Sequence, residues 1–169
     1  MKTFLWLLFS LALTAVAACG QAPGEVVKAK VTMSTPEARP DSVVKATVVV
    51  DVLSGYHIND HHPTLDYLIP TEVKVEPSKE VTVSGITYPK GELARFAFSD
   101  APLSVYEGTV RVDVAFQLEH KVPPGEYGVK GKLTYQACND HACLPPASVP
   151  LSFSFKVVRR GASPSRSAD

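Results

Sequence analysis

Runs in which apolar and polar residues alternate are the feature that most constrains the fold of this chain. Apolar side chains fall at every second position in residues 44–52, and the same period occurs in residues 27–33, 110–118 and 149–157. A period of two is typical of a strand with one buried face, and no helical period occurs beyond residue 18. We therefore predict an all-β protein, an antiparallel β-sandwich of about seven or eight short strands.

Two stretches of the chain lack this period. Residues 56–70 hold three histidines and two prolines and predict a long connection between strands. Residues 93–105 hold two phenylalanines among polar residues and predict a loop that packs against the sandwich. The sequence therefore leaves both segments without an assigned strand.

The size and charge of the chain limit its domain count and its partners. With 169 residues, 45% of them hydrophobic and 20% charged, the chain can bury one core of ordinary size, which predicts one domain. Lysine plus arginine and aspartate plus glutamate both number 17. This balance gives no reason to expect nucleic acid or an anionic membrane surface as a partner.

The N-terminus has the pattern of an export signal. Lys2 supplies a positive end, and residues 4–16 form an almost unbroken apolar run, shorter than the about 20 residues that a transmembrane helix needs. The residues Val16-Ala-Ala-Cys19 resemble the lipobox of bacterial lipoproteins, in which cleavage precedes a lipid-bearing cysteine. We expect a signal peptide over residues 1–18 and lipidation of Cys19; an ordinary signal peptide cut nearby is the alternative.

Lipidation of Cys19 also accounts for an odd number of cysteines. The chain has three, and a single unpaired thiol is a liability in an exported protein. Beyond the leader we expect a tether over residues 19–24, a sandwich domain over residues 25–158 and a flexible polar tail over residues 159–169. An anchored chain of this kind would lie on the periplasmic side of a bacterial membrane.

Cys138 and Cys143 are the cysteines beyond the leader, and they lie five positions apart in a segment that reads as a loop. In an oxidising compartment such a pair is expected to form a disulfide. Closing so short a loop is worth only about 2 kcal/mol in a chain-entropy estimate, so the bond would be a weak staple. A disulfide at an exposed loop is also open to attack by a thiolate. The residues alone still favour a structural bond, because exported proteins use most cysteines that way.

Four short motifs resemble those of one protein family. They are Tyr135-Gln-Ala-Cys138, Cys143-Leu-Pro-Pro146, Gly55-Tyr-His57 and Tyr88-Pro89. Together they are similar to the N-terminal periplasmic domain of the disulfide-interchange protein DsbD, over about residues 25–158. The resemblance implies an immunoglobulin-like sandwich in which Cys138 and Cys143 are the catalytic redox pair.

The resemblance also implies roles for residues around the redox pair. In this family an aromatic side chain on a cap loop shields the pair, and the loop between Pro89 and Val105 is the matching region. Phe98 is the first candidate for the shield and Phe96 the second, with ordinary core packing as the alternative for both. Support next to the cysteines is expected from Tyr135, Gln136, His141, Pro145 and Pro146.

Partners follow from the resemblance as well. The family takes electrons from a membrane-embedded thiol reductant and passes them to periplasmic thioredoxin-like or disulfide-isomerase proteins, and it is linked with cytochrome c biogenesis. The best-known member carries its membrane and thioredoxin-like domains in the same chain, so we expect the donor here to be a separate protein. By resemblance, Cys138 would form the bond to the partner protein and Cys143 would resolve it.

Metal binding is the main alternative function. The candidate ligands for copper or zinc are the two cysteines of the pair together with His57, His61, His62 and His141. Such a site needs both cysteines as thiolates, whereas an oxidising compartment favours the disulfide.

A third hypothesis is a binding or assembly module whose disulfide is purely structural. It predicts that loss of the pair weakens the fold without removing an activity. The sequence has no Gly-x-Ser-x-Gly, no His-Glu-x-x-His and no glycine loop that could cradle a phosphate, and we expect no cofactor.

Overall fold

The computed structural model describes residues 26–34, 36–76 and 78–159. The predicted signal peptide, the tether with Cys19 and nearly all of the predicted tail lie outside the described residues. Within them no helix is long and apolar enough to cross a membrane.

The described part of the chain consists of strands joined by turns and loops. In chain order the strands are β1 (Val27–Met33), β2 (Glu37–Ala38), β3 (Val43–Val52), β4 (His57–Asn59), β5 (Glu72–Val75), β6 (Val81–Thr87), β7 (Glu92–Ala94), β8 (Leu103–Tyr106), β9 (Thr109–Leu118), β10 (Gly125–Tyr135), β11 (Ala137–Cys138) and β12 (Ala147–Val157).

Eight of these strands form two four-stranded sheets. The first has the order β1-β3-β9-β6 and is antiparallel throughout. The second has the order β2-β12-β10-β5, in which the short pairing of β2 with β12 is parallel and the other pairings are antiparallel. Buried and exposed residues alternate along much of β3, β9 and β12, as the sequence period predicts. The prediction of an all-β, immunoglobulin-like sandwich is confirmed.

The core lies between these two sheets. Phe116 of β9 and Phe153 of β12 meet edge to face with ring centroids 5.0 Å apart, and both side chains are fully buried. Inward-facing valines of β3, such as Val48 and Val50, belong to the same cluster. Removal of this apolar surface from water is the main force that holds the sheets together.

A third, smaller sheet extends from the sandwich and carries the cysteine loop. Its order is β11-β4-β8-β7; β4 follows the end of β3, and β11 follows the end of β10. This sheet corrects two sequence predictions. Residues 56–70 contain β4, and residues 93–105, predicted as a loop, hold most of the β7–β8 hairpin. The period could not reveal β4, because all three of its residues are buried and none alternates with an exposed one.

Candidate functional site

The two cysteines beyond the leader form a disulfide that closes the hairpin between β11 and β12. Their Cα atoms are 3.9 Å apart. On one side Leu144 N–H donates to the Ala137 carbonyl at 2.8 Å, and on the other Asn139 N–H donates to the Ala142 carbonyl at 3.0 Å. This pattern defines a non-hydrogen-bonded antiparallel pair, the position at which opposite Cα atoms lie closest. The backbone pairing therefore brings the two sulfurs together.

Asn139 shapes the tip of this hairpin. Its Oδ1 accepts hydrogen bonds from the backbone N–H groups of His141 and Ala142, both at 2.9 Å. An asparagine that bonds to its own turn in this way stabilises the turn locally. Gln136 adds a bond across the hairpin base, from Nε2 to the Leu144 carbonyl at 3.2 Å. Local hydrogen bonds, and not a helix N-terminus, position the sulfurs.

The predicted supporting residues differ in what they contribute. Tyr135 is buried at the end of β10 and belongs to the sandwich core. Pro145 and Pro146 are exposed between the loop and β12. The exposed residue His141 contributes a backbone N–H to the turn.

The two sulfur-bearing residues differ sharply in exposure. Cys138 is 1% exposed, whereas Cys143 lies at the surface. An attacking thiolate must reach the sulfur with which it reacts. Cys143 is therefore the accessible sulfur of the bond.

Strand β4 places His57 directly opposite Cys138. Side chains of directly opposite residues lie on the same face of an antiparallel pair, with Cβ atoms about 4.5–5.5 Å apart. His57 is 2% exposed, and its Nε2 has no hydrogen-bond partner among the described residues. Burial lowers the pKa of His57, while the charges of Glu107 and Asp140 act in the opposite direction. The imidazole facing Cys138 is therefore neutral at pH 7.

Two aromatic rings from the tip of the β7–β8 hairpin extend this arrangement. Phe96 stacks on His57 with centroids 4.0 Å apart and an interplanar angle of 22°. Phe98 stacks in turn on Phe96 at 5.3 Å and is 42% exposed. Phe96, and not Phe98, is the ring that contacts the histidine opposite Cys138.

A buried carboxylate fixes the base of the same hairpin. Asp60 accepts hydrogen bonds from the hydroxyls of Tyr106 at 2.6 Å and Ser104 at 2.7 Å, and from Gly91 N–H at 3.2 Å. Burial acts to raise the pKa of Asp60, but the hydrogen bonds outweigh it and hold that pKa below its ordinary value. A Cβ on Gly91 would lie 2.6 Å from the carboxylate, so this approach requires glycine. Sequence reasoning missed this cluster, because its members come from separate segments.

Asp60 is expected to make stability pH-dependent. A carboxyl group whose folded pKa lies below its unfolded value stabilises the fold above about pH 4 and loses that contribution as the pH falls through the folded pKa. At neutral pH, Asp60→Asn is expected to lower the free energy of unfolding by about 1–3 kcal/mol, because its amide nitrogen cannot accept the Ser104 or Gly91 bonds. Urea unfolding at several pH values would measure both effects.

The exposed Asp66→Asn is the matched control for this measurement. It is expected to keep wild-type stability and the wild-type loss of stability in acid. The Asp60 variant should instead lose less stability than the wild type below about pH 4. Parallel acid profiles for the Asp60 variant and the wild type would contradict this role for the carboxylate.

The geometry does not support the metal-site hypothesis. The described residues contain no group of three or more His, Cys, Asp or Glu side chains placed to hold a metal ion. Both thiolates of the proposed ligand set are consumed in the disulfide, and His57 is stacked against Phe96. His61 stacks on Tyr88 with centroids 3.7 Å apart.

A loop disulfide with one sulfur at the surface is open to attack by a thiolate, which is the first step of thiol:disulfide exchange. Residues 24–152 match the family described as "Thiol:disulfide interchange protein DsbD, N-terminal". This match spans most of the chain, so the protein belongs to the family of DsbD N-terminal domains, as its motifs indicated.

Solved structures show the same fold. The DsbD N-terminal domain of Neisseria meningitidis, in its reduced form, is 18% identical with a TM-score of 0.51, over 80% of this chain and 90% of that one. The N-terminal periplasmic domain of ScsB from Proteus mirabilis is 15% identical with a TM-score of 0.54, over 76% of this chain and 46% of that one. Comparison with curated proteins finds no significant sequence match.

Proposed function

We propose that this protein is a periplasmic thiol:disulfide exchange module that relays electrons through the Cys138/Cys143 pair. The observation that carries the proposal is the exposure difference across the disulfide, in a chain of the DsbD N-terminal family. An exposed sulfur can be attacked, and a buried sulfur next to it remains in place to close the bond again.

Reduction of the pair begins at the exposed sulfur. A donor thiolate attacks Cys143 Sγ, the Cys138–Cys143 bond breaks, and Cys138 leaves as a thiolate. A mixed disulfide now joins the donor to Cys143. The donor's second thiol then attacks the donor sulfur that is bonded to Cys143, and Cys143 leaves as a thiolate. The module is now a dithiol and the donor a disulfide.

Delivery to an acceptor uses the same steps in reverse. The Cys143 thiolate attacks an acceptor disulfide and displaces one acceptor sulfur as a thiolate. Cys138 then attacks Cys143 Sγ, restores the intramolecular bond and releases the second acceptor sulfur. Two electrons pass to the acceptor, and in this scheme Cys143 binds the partner while Cys138 resolves the bond, which reverses the expected roles.

The proposed relay has a membrane-embedded thiol reductant as donor and periplasmic thioredoxin-like or disulfide-isomerase proteins as acceptors. Lipidation of Cys19 would hold the module at the periplasmic side of the membrane, within reach of such a donor. Both partners need an exposed sulfur on this module, which Cys143 supplies.

The aromatic hairpin tip is the proposed shield of the pair. Phe96 contacts His57, the residue opposite Cys138, and Phe98 covers Phe96 from outside. We assign the shielding role to Phe96, with Phe98 as its outer layer. This arrangement keeps water and small thiols from Cys138 while Cys143 stays accessible.

The reduction potential of the pair tests this function against a purely structural disulfide. The domain is equilibrated with glutathione or dithiol buffers, and the trapped thiols are counted by mass spectrometry. We expect a value of roughly −120 to −270 mV, the range of exchange proteins. A value below about −300 mV would identify a structural bond and support a binding module instead.

A further inference from the structure

The reduced pair must hold two protons, and the two sulfurs do not have equal access to water. Cys143 is exposed and can exchange its proton with solvent directly. Cys138 is 1% exposed, so its thiol has no such route. A buried thiolate in apolar surroundings is also unfavourable, because burial disfavours the charged form. Cys138 therefore needs a proton-exchange partner within the protein.

His57 has the position and the free atom for that task. It lies directly opposite Cys138 in the β4–β11 pairing, and it is 2% exposed. Its Nε2 is buried without a hydrogen-bond partner among the described residues. A buried polar atom without a hydrogen-bond partner is unfavourable and is rare in folded proteins. In the disulfide form the Cys138 sulfur carries no proton to share, which leaves Nε2 unpaired.

We propose that His57 is the proton-exchange partner of Cys138, a role that rests on the exchange function proposed above. In the dithiol form the Cys138 thiol donates a hydrogen bond to Nε2. When Cys138 resolves the mixed disulfide, Nε2 takes its proton, the thiolate attacks Cys143 Sγ, and the acceptor sulfur leaves as a thiolate. The imidazolium then gives its proton to water or to that thiolate.

The surroundings of His57 suit a brief positive charge on the ring. The carboxylates of Glu107, which follows β8, and Asp140, in the cysteine loop, both favour the protonated imidazole, against the effect of burial. Phe96 covers one face of the ring and leaves the nitrogens on its edge available. The ring is thus neutral at rest and can accept a proton during the resolving step.

Oxidation of the reduced domain by glutathione disulfide tests the proposal. Cys143 first becomes glutathionylated, and Cys138 then displaces glutathione; acid quenching and mass spectrometry follow both steps. His57→Phe and His57→Gln are expected to slow the second step at least about tenfold near pH 7, since neither side chain can take a proton. In both variants the remaining rate of the second step should rise between about pH 5 and about pH 9, because the Cys138 thiol ionises over this range. The first step is expected to keep its rate.

His120→Gln is the matched control. His120 is exposed and follows the C-terminal end of β9, whereas Glu107, whose charge acts on His57, precedes the N-terminal end of that strand. It should leave both steps unchanged. His57→Gln keeps a polar side chain and decides the outcome if the phenylalanine variant does not fold. If the second step in His57→Gln keeps the wild-type rate and the wild-type pH profile, the role of His57 is overturned and the exchange function is not. If dithiothreitol reduces the Cys138–Cys143 bond of the wild-type protein only after the protein unfolds, the exchange function itself is overturned.

Discussion

Iodoacetamide is expected to label Cys143 of the reduced domain rapidly and Cys138 at least about tenfold more slowly. Cys143 is at the surface, whereas Cys138 is 1% exposed and lies in a third sheet that also holds His57. Alkylation requires an accessible thiolate, and burial reduces both access and ionisation. Mass spectrometry of the peptide containing both cysteines would give the two rates.

Removal of the proposed shield should reduce this selectivity. The Phe96–His57 stack is worth about 0.5–1.5 kcal/mol, and its loss in Phe96→Ala is expected to raise the labelling rate of Cys138 about two- to tenfold. Cys143 should keep its rate, because the surface position of its sulfur does not depend on the hairpin tip. The shield would then control access to the resolving sulfur rather than to the attacking one.

Phe98→Ala is the control for the shield. Phe98 is 42% exposed and stacks on Phe96, so its removal leaves the contact with His57 in place. We expect a clearly smaller increase in Cys138 labelling than for Phe96→Ala. A larger increase for Phe98→Ala would return the role to the residue that the sequence favoured. If neither variant changes the labelling rate of Cys138, both rings are packing residues and neither is a shield.

The sandwich could be predicted from the sequence wherever a strand has one buried and one exposed face. That condition holds along much of β3, β9 and β12, whose alternation is visible in the residues themselves. It fails for β4, which is buried throughout, and for β7 and β8, which pair as a short hairpin without a clean period. The strands β4, β7 and β8 belong to the third sheet, which positions the site.

The candidate site was only partly predictable for the same reason. The motifs around Cys138 and Cys143 identify the pair and the family. Cys138, the buried sulfur of the pair, lies on β11, and β11 pairs with β4 from a distant part of the sequence. The same pairing gives His57 its place opposite Cys138. Asp60 gains these partners from two further segments, the turn before β7 and strand β8, so no local pattern marks it.

The proposed roles of the cysteines predict opposite behaviour for two serine variants. With Cys138→Ser, the exposed Cys143 can attack a partner disulfide but nothing resolves the product. With Cys143→Ser, the remaining thiol is buried and cannot reach a partner. Both variants lose the same disulfide, worth only about 2 kcal/mol, so each serves as the stability control for the other.

Trapping of the mixed disulfide is the most direct test of thiol exchange by this protein. Each reduced variant is mixed with an oxidised thioredoxin-like domain, and the products are separated without reductant and identified by mass spectrometry. We expect Cys138→Ser to accumulate a stable mixed disulfide through Cys143, and Cys143→Ser to form at least about tenfold less. A mixed disulfide mainly through Cys138 would reverse the roles of the two sulfurs. No mixed disulfide in either variant would contradict the exchange function.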